Sequence, residues 1–365
     1  QWRDTDRTRA HVEYDDRDRV IATSSDSGHY ADRFEYDDVA GCVHYHDAEG
    51  GHTAYHYNAD GLVTRVVDPL GHEWLTEWDD LTNKLSETDP LGRTTRYEYN
   101  EFGEVTGVVA PDGGRQSFEY DANGALRAVT RADGAQWQFF HDARGNPTGM
   151  RDPYGRRVGY RLGARGEVLR REMPNGSQWR YAYDERHRLR EVVAPDGATT
   201  RLREDISGRV LEPVDPLGQV TRYEYDAGHA SPAGSVGTVI LPDATRQDMA
   251  YDSERRLVAH TDGEGRTTRY RYGAFDLLQS LDPPGGGGLR FDYDRLTRLT
   301  AVTNGAQETY CYGYDAAGRR VSETDYGGAT THYAYNPVGW LTGEHRPGRA
   351  QIRYGHDIQS GRLLA

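Results

Sequence analysis

The sequence predicts an all-β protein built as an antiparallel β-hairpin ribbon of about 17 repeats. Three observations predict this fold class. Aromatic residues recur with a period of 21 residues, short runs alternate polar and apolar side chains, and turn-forming residues separate the runs. A sustained period of roughly 20 to 50 residues is typical of repeat architectures, and alternation with period two is typical of half-buried strands. No stretch shows a sustained helical period, so we expect helix to be nearly absent.

The repeat is counted from one aromatic column, the second aromatic of each Tyr-x-Tyr-Asp motif. From Tyr36 to Tyr225 this column recurs every 21 residues. One step of 26 residues leads to Tyr251, after which the period of 21 continues. We predict that the column anchors the repeats, at Tyr36, Tyr57, Trp78, Tyr99, Tyr120, Tyr183, Tyr225, Tyr251, Tyr272, Tyr293, Tyr314 and Tyr335. Spacing alone assigns its other members, Tyr14, His141, Leu162, Glu204 and His356.

One unit contains two predicted strands and two predicted turns. The run from Thr94 to Tyr99 alternates polar and aromatic side chains and predicts the first strand. Residues 100–103 predict a tight turn, and residues 104–109 predict a second alternating strand. Two short strands joined by a tight turn form an antiparallel hairpin, so a chain of such units forms a continuous ribbon.

The second turn of each unit carries a Pro-x-Gly signal about eleven residues after the anchor. Proline pre-sets the first φ angle of such a turn, and glycine accepts the positive φ that other residues resist. We predict a structural role in turns for Pro69, Gly71, Pro90, Gly92, Pro111, Gly113, Pro153, Gly155, Pro216 and Gly218.

The two faces of the ribbon are predicted to differ in chemistry. Tyr97 and Tyr99 share one face of their strand, while Arg96 and Glu98 share the other. Repetition turns these faces into an aromatic ladder and a charged surface, and neighbouring repeats bury what one hairpin cannot. Some 34 strands at about 4.8 Å spacing would give a ribbon about 160 Å long, about one turn of a shell roughly 60 Å across. We therefore expect a segment of wall.

Composition bounds the function. The formal charge is −14, and Lys84 is the only lysine, so positive charge is carried almost entirely by arginine. Arginine forks can pair with aspartates or stack on the 26 tyrosines. An acidic chain with dispersed positive charge is a poor candidate for nucleic-acid binding, and no apolar run is long enough to cross a bilayer. Cys42 and Cys311 lie too far apart to form a disulfide framework or a metal-site spacing.

The chain is predicted to be one repeat array over residues 1–365, and its ends in mid-pattern suggest a piece of a longer polypeptide. Two irregular loops are expected, Gly228–Gly237, where the extra five residues fall, and Pro283–Gly288. Tolerated insertion at a hairpin tip explains such loops, and a contact loop for a partner is the alternative.

Three kinds of chemistry were weighed. His44, His46, His52 and His56 form the densest histidine cluster, which we interpret as polar repeat positions because a metal site needs three or four converging ligands. Aspartate recurs with the turns, so no carboxylate pair is set apart for glycosidase chemistry. We expect no catalytic, cofactor-binding or metal site. The aromatic ladder could alternatively be a platform for sugars.

Several segments carry a resemblance to a known family. They are YDANGAL (Tyr120–Leu126), RYEYDAG (Arg222–Gly228), YDAAGRRVSETD (Tyr314–Asp325) and DPLGRTTRYEYN (Asp89–Asn100). They resemble the YD repeats of the Rhs (rearrangement hotspot) family, and the resemblance extends from about Tyr14 to the end of the chain. It implies a β-ribbon that spirals into a hollow cocoon around a toxic C-terminal domain of the same polypeptide.

The resemblance also implies a function. It favours a non-enzymatic shell segment of a bacterial polymorphic toxin, made in the cytoplasm and exported, with type VI secretion as the expected route. Spike proteins, a chaperone and a cognate immunity protein are the further partners implied. The local Asp-Pro-x-Gly matches, such as Asp68–Gly71, stand in the turn column, so we interpret them as turns and not as the family's self-cleavage site. The alternative hypothesis is an extracellular adhesion or carbohydrate-binding array.

Overall fold

The computed structural model describes residues 2–3, 8–225, 234–357 and 363. These residues form 34 strands and one helical element, a 3-10 turn at Ala274–Asp276. The prediction of an all-β antiparallel ribbon is confirmed. No helix in the described ranges has the length and apolar character needed to cross a membrane.

The strands fall into two antiparallel sheets. The first has 21 strands: β1 (Trp2–Arg3), β2 (Arg9–Tyr14), β3 (Val20–Ser25), β4 (Arg33–Asp37), β5 (Cys42–His46), β6 (His52–Tyr57), β7 (Val63–Val67), β8 (Glu73–Trp78), β9 (Lys84–Thr88), β10 (Thr94–Tyr99), β11 (Val105–Val109), β12 (Arg115–Tyr120), β13 (Leu126–Thr130), β14 (Gln136–His141), β15 (Pro147–Arg151), β16 (Arg157–Leu162), β17 (Val168–Glu172), β18 (Gln178–Tyr183), β19 (Leu189–Val193), β20 (Thr199–Glu204) and β21 (Val210–Val214). The second has 13 strands: β22 (Arg222–Tyr225), β23 (Val236–Ile240), β24 (Arg246–Tyr251), β25 (Leu257–Thr261), β26 (Thr267–Tyr272), β27 (Leu278–Asp282), β28 (Leu289–Tyr293), β29 (Leu299–Thr303), β30 (Thr309–Tyr314), β31 (Arg320–Thr324), β32 (Thr330–Tyr335), β33 (Leu341–His345) and β34 (Ile352–Arg353).

Each repeat forms a hairpin of one strand of mostly six residues and one of five. In the hairpin β12–β13, Glu119 pairs with Ala128 while Tyr120 pairs with Leu126. Arg127 is therefore left over, which makes a β-bulge opposite the anchor tyrosine. The same shift of register accompanies the anchors of β14–β15, β18–β19, β28–β29 and β32–β33. The hairpin β4–β5 pairs without such a shift.

The chain divides into two compact units. Unit 1 contains Gln1–Glu98, Val109–Gly113 and Thr268–Ala365, and unit 2 contains Tyr99–Val108 and Gly114–Thr267. Unit 1 therefore combines early hairpins such as β6–β7 with late hairpins such as β32–β33. Unit 2 contains the hairpins β14–β15 to β20–β21, which follow one another along the chain.

Little of the protein is deeply buried. Cys42, Ala54 and Ala128 are the buried apolar residues of the described part, at 1%, 6% and 4% exposure. Along β10 the aromatic residues are half-buried while Arg96 and Glu98 are exposed. A thin sheet of this kind must be stabilised by contacts that recur in every repeat, because no large core is available to do so.

One of the two irregular loops lies within the described residues. Pro283–Gly288 forms the turn between β27 and β28, with positive φ at Gly285, Gly286 and Gly287. Most of the second loop, Gly228–Gly237, lies outside the described residues, and β23 begins at Val236.

Candidate functional site

The turn after each anchor is closed by an aspartate side chain. In the turn of residues 294–298, Asp294 Oδ1 accepts the backbone N–H groups of Leu296 and Arg298, at 3.0 and 2.9 Å. Asp294 Oδ2 accepts the Arg298 Nε–H at 2.5 Å. The aspartate thus satisfies two backbone donors that a tight turn would leave without partners, and it also pairs with a guanidinium. This explains why aspartate follows the anchor.

The same arrangement recurs along the ribbon. The Asp–Arg pair four residues apart is present at Asp15–Arg19, Asp89–Arg93, Asp152–Arg156, Asp184–Arg188, Asp205–Arg209, Asp252–Arg256, Asp262–Arg266 and Asp315–Arg319. It occurs both in turns after an anchor and in turns with the Pro-x-Gly signal. Asn100 and Asn336 replace the aspartate in two turns and still accept backbone N–H groups through their side-chain oxygens.

The turn arginine also contacts the next repeat. The Arg298 guanidinium lies 4.8 Å from the ring centroid of Tyr314, the following anchor. The Tyr314 hydroxyl donates to the Leu299 carbonyl oxygen at 2.8 Å. Asp294, Arg298, Leu299 and Tyr314 therefore form one connected unit that links two hairpins, which we call the inter-repeat clamp.

The clamp recurs with its parts in the same order. Guanidinium groups lie over Tyr36, Tyr225 and Tyr335 as well, at 4.2, 4.6 and 5.3 Å from the ring centroids. Hydroxyl bonds to the carbonyl fifteen residues earlier are made by Tyr120, Tyr183, Tyr225, Tyr251, Tyr293, Tyr314 and Tyr335, and Tyr36 makes its bond sixteen residues earlier.

Two substituted anchors preserve this hydrogen bond. Trp78 donates its indole N–H to the Val63 carbonyl at 2.8 Å, and His356 places Nε2 2.7 Å from the Leu341 carbonyl. The column therefore accommodates a ring that carries a polar atom at its tip. Tyr57, Tyr99 and Tyr272 each end the first strand of their hairpin, as Trp78 does.

The clamp perturbs ionisation in two directions. Hydrogen bonds from the Arg188 backbone N–H, followed by its side chain, hold the pKa of Asp184 below its ordinary value, and Arg209 acts likewise on the pKa of Asp205. Burial, with the charge of Asp294 second, raises the pKa of the Tyr314 hydroxyl. Both groups therefore hold the protonation state that the clamp uses at neutral pH.

The predicted proline and glycine residues lie in turns between hairpins. The backbone N–H of Gly71 donates to the Asp68 carbonyl at 2.9 Å, and φ at this glycine is 82°. Gly92, Gly113, Gly155 and Gly218 have φ values of 77°, 83°, 78° and 79°, and each donates to the residue three positions earlier. Pro69, Pro90, Pro111, Pro153 and Pro216 each lie two residues before the glycine of their turn.

Several turns place another residue where glycine is usual. Thr82, His187, Ala244, Arg255, Thr297 and Gln307 have φ between 62° and 68°. Left-handed backbone is unfavourable for residues with a Cβ atom, and most of all for β-branched ones. These turns therefore hold local strain that their neighbours avoid.

Within unit 1, the edges of repeats twelve apart meet. The Tyr30 backbone N–H donates to the Arg295 carbonyl at 3.0 Å, and the Arg295 N–H donates to Glu49 Oε1 at 2.8 Å. The Tyr30 and Thr297 hydroxyl groups lie 2.9 Å apart. Glu49 follows anchor Tyr36, and Arg295 follows anchor Tyr293, twelve repeats later.

Aromatic contacts extend the same junction. The Phe275 ring meets the edges of the Tyr30 and His29 rings at 5.2 and 5.5 Å, and the Arg93 guanidinium lies 4.2 Å from the Trp340 ring centroid. We call this junction the edge seam; it consists of His29, Tyr30, Glu49 and Arg93 on one side and Phe275, Arg295, Thr297 and Trp340 on the other. Alongside it lies a cavity of about 450 Å³, with Pro69, Trp74, Leu296 and Val338 among its lining residues.

The histidine cluster assembles in part. His44 Nδ1 lies 3.0 Å from His52 Nε2, and the His46 and His52 rings stack with centroids 4.6 Å apart. His56 instead lies near Cys42, with Nε2 3.9 Å from Sγ. Within the described ranges, no group of three or more His, Cys, Asp or Glu side chains is arranged to hold a metal ion. Cys42 is buried and Cys311 is exposed, and both are free thiols.

The pairing of arginine with aspartate and its stacking on tyrosine were both foreseeable from composition. Two further features were missed. The Tyr hydroxyl bond fifteen residues back was not expected, although the conserved period of 21 gave it a constant target. The edge seam had no local signal, because its partners are separated by about 250 residues of sequence.

Comparison with known proteins agrees with this geometry. The sequence profile of the family described as RHS Repeat matches residues 78–115, 120–157, 164–199, 251–288 and 314–351, together just over half of the chain. No curated protein sequence matches.

Solved structures with the same fold belong to Tc toxins. The TcdB2-TccC3-TEV crystal structure superposes with a TM-score of 0.81 at 15% identity, covering 98% of this chain and 23% of the other. The Photorhabdus luminescens Tc holotoxin pore, with a mutated TccC3, gives a TM-score of 0.78 at 16% identity, covering 98% of this chain and 22% of the other. The chain thus spans less than a quarter of the length of these structures. With hairpins, clamps and profile in agreement, the chain belongs to the RHS repeat family.

Proposed function

We propose that this chain is a non-enzymatic wall segment that encloses the C-terminal toxin domain of an Rhs polymorphic toxin until delivery. Enclosure requires a sheet that can extend without gaps between its successive turns. The edge seam is the observation that carries the proposal, since it joins edges of repeats twelve apart by backbone hydrogen bonds, a carboxylate acceptor and aromatic contacts.

The chemistry of the turns supports a structural role. The aspartates of the clamp accept two backbone N–H groups and in many turns also a guanidinium, as Asp184 and Asp315 do. A carboxylate engaged in this way is a weak nucleophile and a weak base at neutral pH, because its pKa is lowered. The regular use of carboxylates in turns therefore favours a wall over a catalyst.

The route of delivery is part of the proposal. The protein would be made in the bacterial cytoplasm and exported, with type VI secretion spike proteins, a chaperone and a cognate immunity protein as partners in competition between bacteria. A toxin held behind the wall would be kept from the cytosol of the cell that makes it. The toxin domain itself is expected in sequence encoded beside this segment.

Protection from protease tests the proposal. The polypeptide encoded by the complete gene should show an enclosed density by electron microscopy, and the segment behind the wall should resist limited proteolysis. A seam variant combining Glu49→Ala, Tyr30→Phe and Phe275→Ala removes three seam contacts and should raise the cleavage rate of that segment at least about tenfold. A matched control, Glu101→Ala with Phe102→Ala at a turn tip, should leave the rate unchanged.

Two outcomes would overturn the wall. A solid or extended particle without enclosed density is one, and equal protease sensitivity in wild type and seam variant is the other. Circular dichroism of both variants should show the same β spectrum, which separates an opened seam from a misfolded chain.

An adhesion or carbohydrate-binding array is the second candidate. Flat aromatic faces are needed to stack on sugars, but guanidinium groups cover the rings of Tyr36, Tyr225, Tyr314 and Tyr335. A glycan array with the purified protein would favour this candidate if it gave saturable binding that the Tyr97→Ala or Tyr181→Ala variant abolished.

A further inference from the structure

One column of the charged face normally holds small side chains. It is the middle position of the second strand in each hairpin, occupied by Ser86, Ala128, Gly149, Ala301 and Gly343, among others. Ser86, Ala128 and Gly149 are buried there. Three consecutive repeats in unit 2 depart from this pattern and place Arg170, Glu191 and Glu212 in the column.

The two glutamates have opposite charges beside them. Glu191 Oε2 accepts Arg201 Nε–H at 2.9 Å, and Glu212 accepts Arg203 Nη2–H at 2.8 Å. Arg222 also lies 3.3 Å from Glu212. At these two repeats the charges of the column are therefore compensated across strands.

Arg170 is surrounded by like charge. It pairs directly opposite Arg161 on β16 and Arg180 on β18, so three guanidinium-bearing residues lie side by side on adjacent strands. None of the three forms an ion pair within the described ranges; Arg170 Nη1 lies 3.5 Å from the Gln178 amide oxygen. Like charges directly opposite each other destabilise a sheet. In a chain of net charge −14, this uncompensated row is unusual.

The arginine row borders a groove of about 540 Å³ in unit 2. Arg156, Arg157, Gly159, Arg161 and Arg170 line it, and Glu172 is the acidic residue in its lining. Of these arginines, Arg156 is paired with Asp152, while Arg157 lies 5.0 Å from the Phe140 ring centroid. The groove is therefore concave and predominantly positive.

Two glycines shape the groove in different ways. A Cβ atom at Gly149 would lie 2.5 Å from the Val158 carbonyl oxygen, so close approach of the strands requires glycine there. A Cβ atom at Gly159 would meet no atom within 4 Å, and its φ is not positive. Gly159 therefore leaves open space on the charged face, and a larger side chain at this position would enter the groove without straining the backbone.

We propose that this groove is a binding site for a ligand with two oxoanion groups, phosphates or carboxylates. The planar guanidinium fork matches both groups in bidentate geometry, and neighbouring forks about 5 Å apart match a ligand whose anionic groups are closely linked. Bound anions would remove the repulsion within the row. The site is independent of the wall function, because it requires only unit 2.

Calorimetric titration of the full chain with pyrophosphate, and separately with citrate, tests the site and distinguishes phosphate from carboxylate. Saturable binding of at least one of them, at one site per chain, is expected. The variant R161Q with R170Q should weaken binding at least about tenfold, since each lost fork removes a charge-assisted pair. The variant Gly159→Val should weaken it to a similar extent by occupying the groove.

The control variant R201Q with R203Q removes the same charge from the same face and should change the affinity less than about twofold. The absence of saturable binding of both anions would overturn the proposal, as would equal weakening by the control, which would indicate diffuse electrostatic attraction. Unfolding gives a second readout. Arg170→Gln should raise the unfolding midpoint at low salt and lose this shift at high salt, where repulsion is screened; a lowered midpoint at low salt would contradict the like-charge row.

Discussion

At the scale of the residue, the anchor tyrosine acts through its hydroxyl as well as its ring. The ring fills the face beneath a guanidinium, and the hydroxyl fixes the distance to the preceding hairpin, as Tyr314 does with Leu299. Trp78 keeps the polar tip with a different ring. An anchor is therefore defined by an aromatic body with a donor at its end.

Tyr314→Phe should destabilise the protein by about 1 kcal/mol, because it removes one hydrogen bond and keeps the ring. Hydrogen–deuterium exchange should become faster in peptides that cover β29 and β30, since repeat arrays open locally. Tyr312→Phe is the matched control, since no hydrogen bond of its hydroxyl is found within the described ranges. Equal effects of both variants would show that the hydroxyl bond does not stabilise the clamp.

Thr82→Gly should stabilise the protein by about 1 kcal/mol. Thr82 has φ of 67°, where a β-branched side chain is strained and glycine is not. Gly92→Ala, in a turn with φ of 77°, should destabilise by a similar amount of about 1 kcal/mol. Urea unfolding midpoints measure both changes, and a loss of stability on Thr82→Gly would refute the assignment of strain to this turn.

At the scale of the element, each hairpin turn depends on an ionised aspartate. The folded-state pKa is lowered at Asp15, Asp121, Asp184, Asp205 and Asp262, mainly by backbone N–H donors. In the unfolded chain an aspartate titrates near about 3.9. The stabilisation is therefore fully present above about pH 4 and is lost as pH falls through the lower folded-state pKa.

Asp184→Asn isolates this effect in one turn. Asparagine can accept the two backbone N–H groups, but it cannot pair with Arg188 by charge. Wild type should be the more stable protein at pH 7, and the difference should disappear near pH 2.5, where the wild-type carboxyl is protonated. Thermal unfolding at both pH values measures this; a difference that stays constant would exclude the charge as its cause.

The hairpins were predictable because their signals are local. Alternation around Tyr97 fixes the strand, and Gly103 with its preceding asparagine fixes the turn within a few residues. The bulge opposite each anchor was not predicted, since it depends on how the second strand adjusts its register, as between Tyr120 and Leu126. The loop at Pro283–Gly288 was predicted from its glycines, and their positive φ values explain their number.

At the scale of the whole molecule, sequence reasoning reached the family and not the long-range contacts. The edge seam depends on how far the ribbon turns per repeat, which is the accumulated result of strand twist over many hairpins. Small errors in each repeat add up, so no motif in the region of Tyr30 identifies Arg295 as its partner. The like-charge row at Arg170 was equally hidden, because it becomes visible only when the strand register is known.

The pairing of repeats twelve apart also has an evolutionary consequence. Arrays of near-identical units readily gain or lose a whole unit by recombination, and each surviving hairpin would keep its own clamp. The loss of one unit between Glu49 and Arg295 would nevertheless bring every edge opposite the wrong neighbour. Selection would then act on the number of repeats separately from the sequence of any repeat, and an array could be lengthened freely only beyond the span that such a junction encloses.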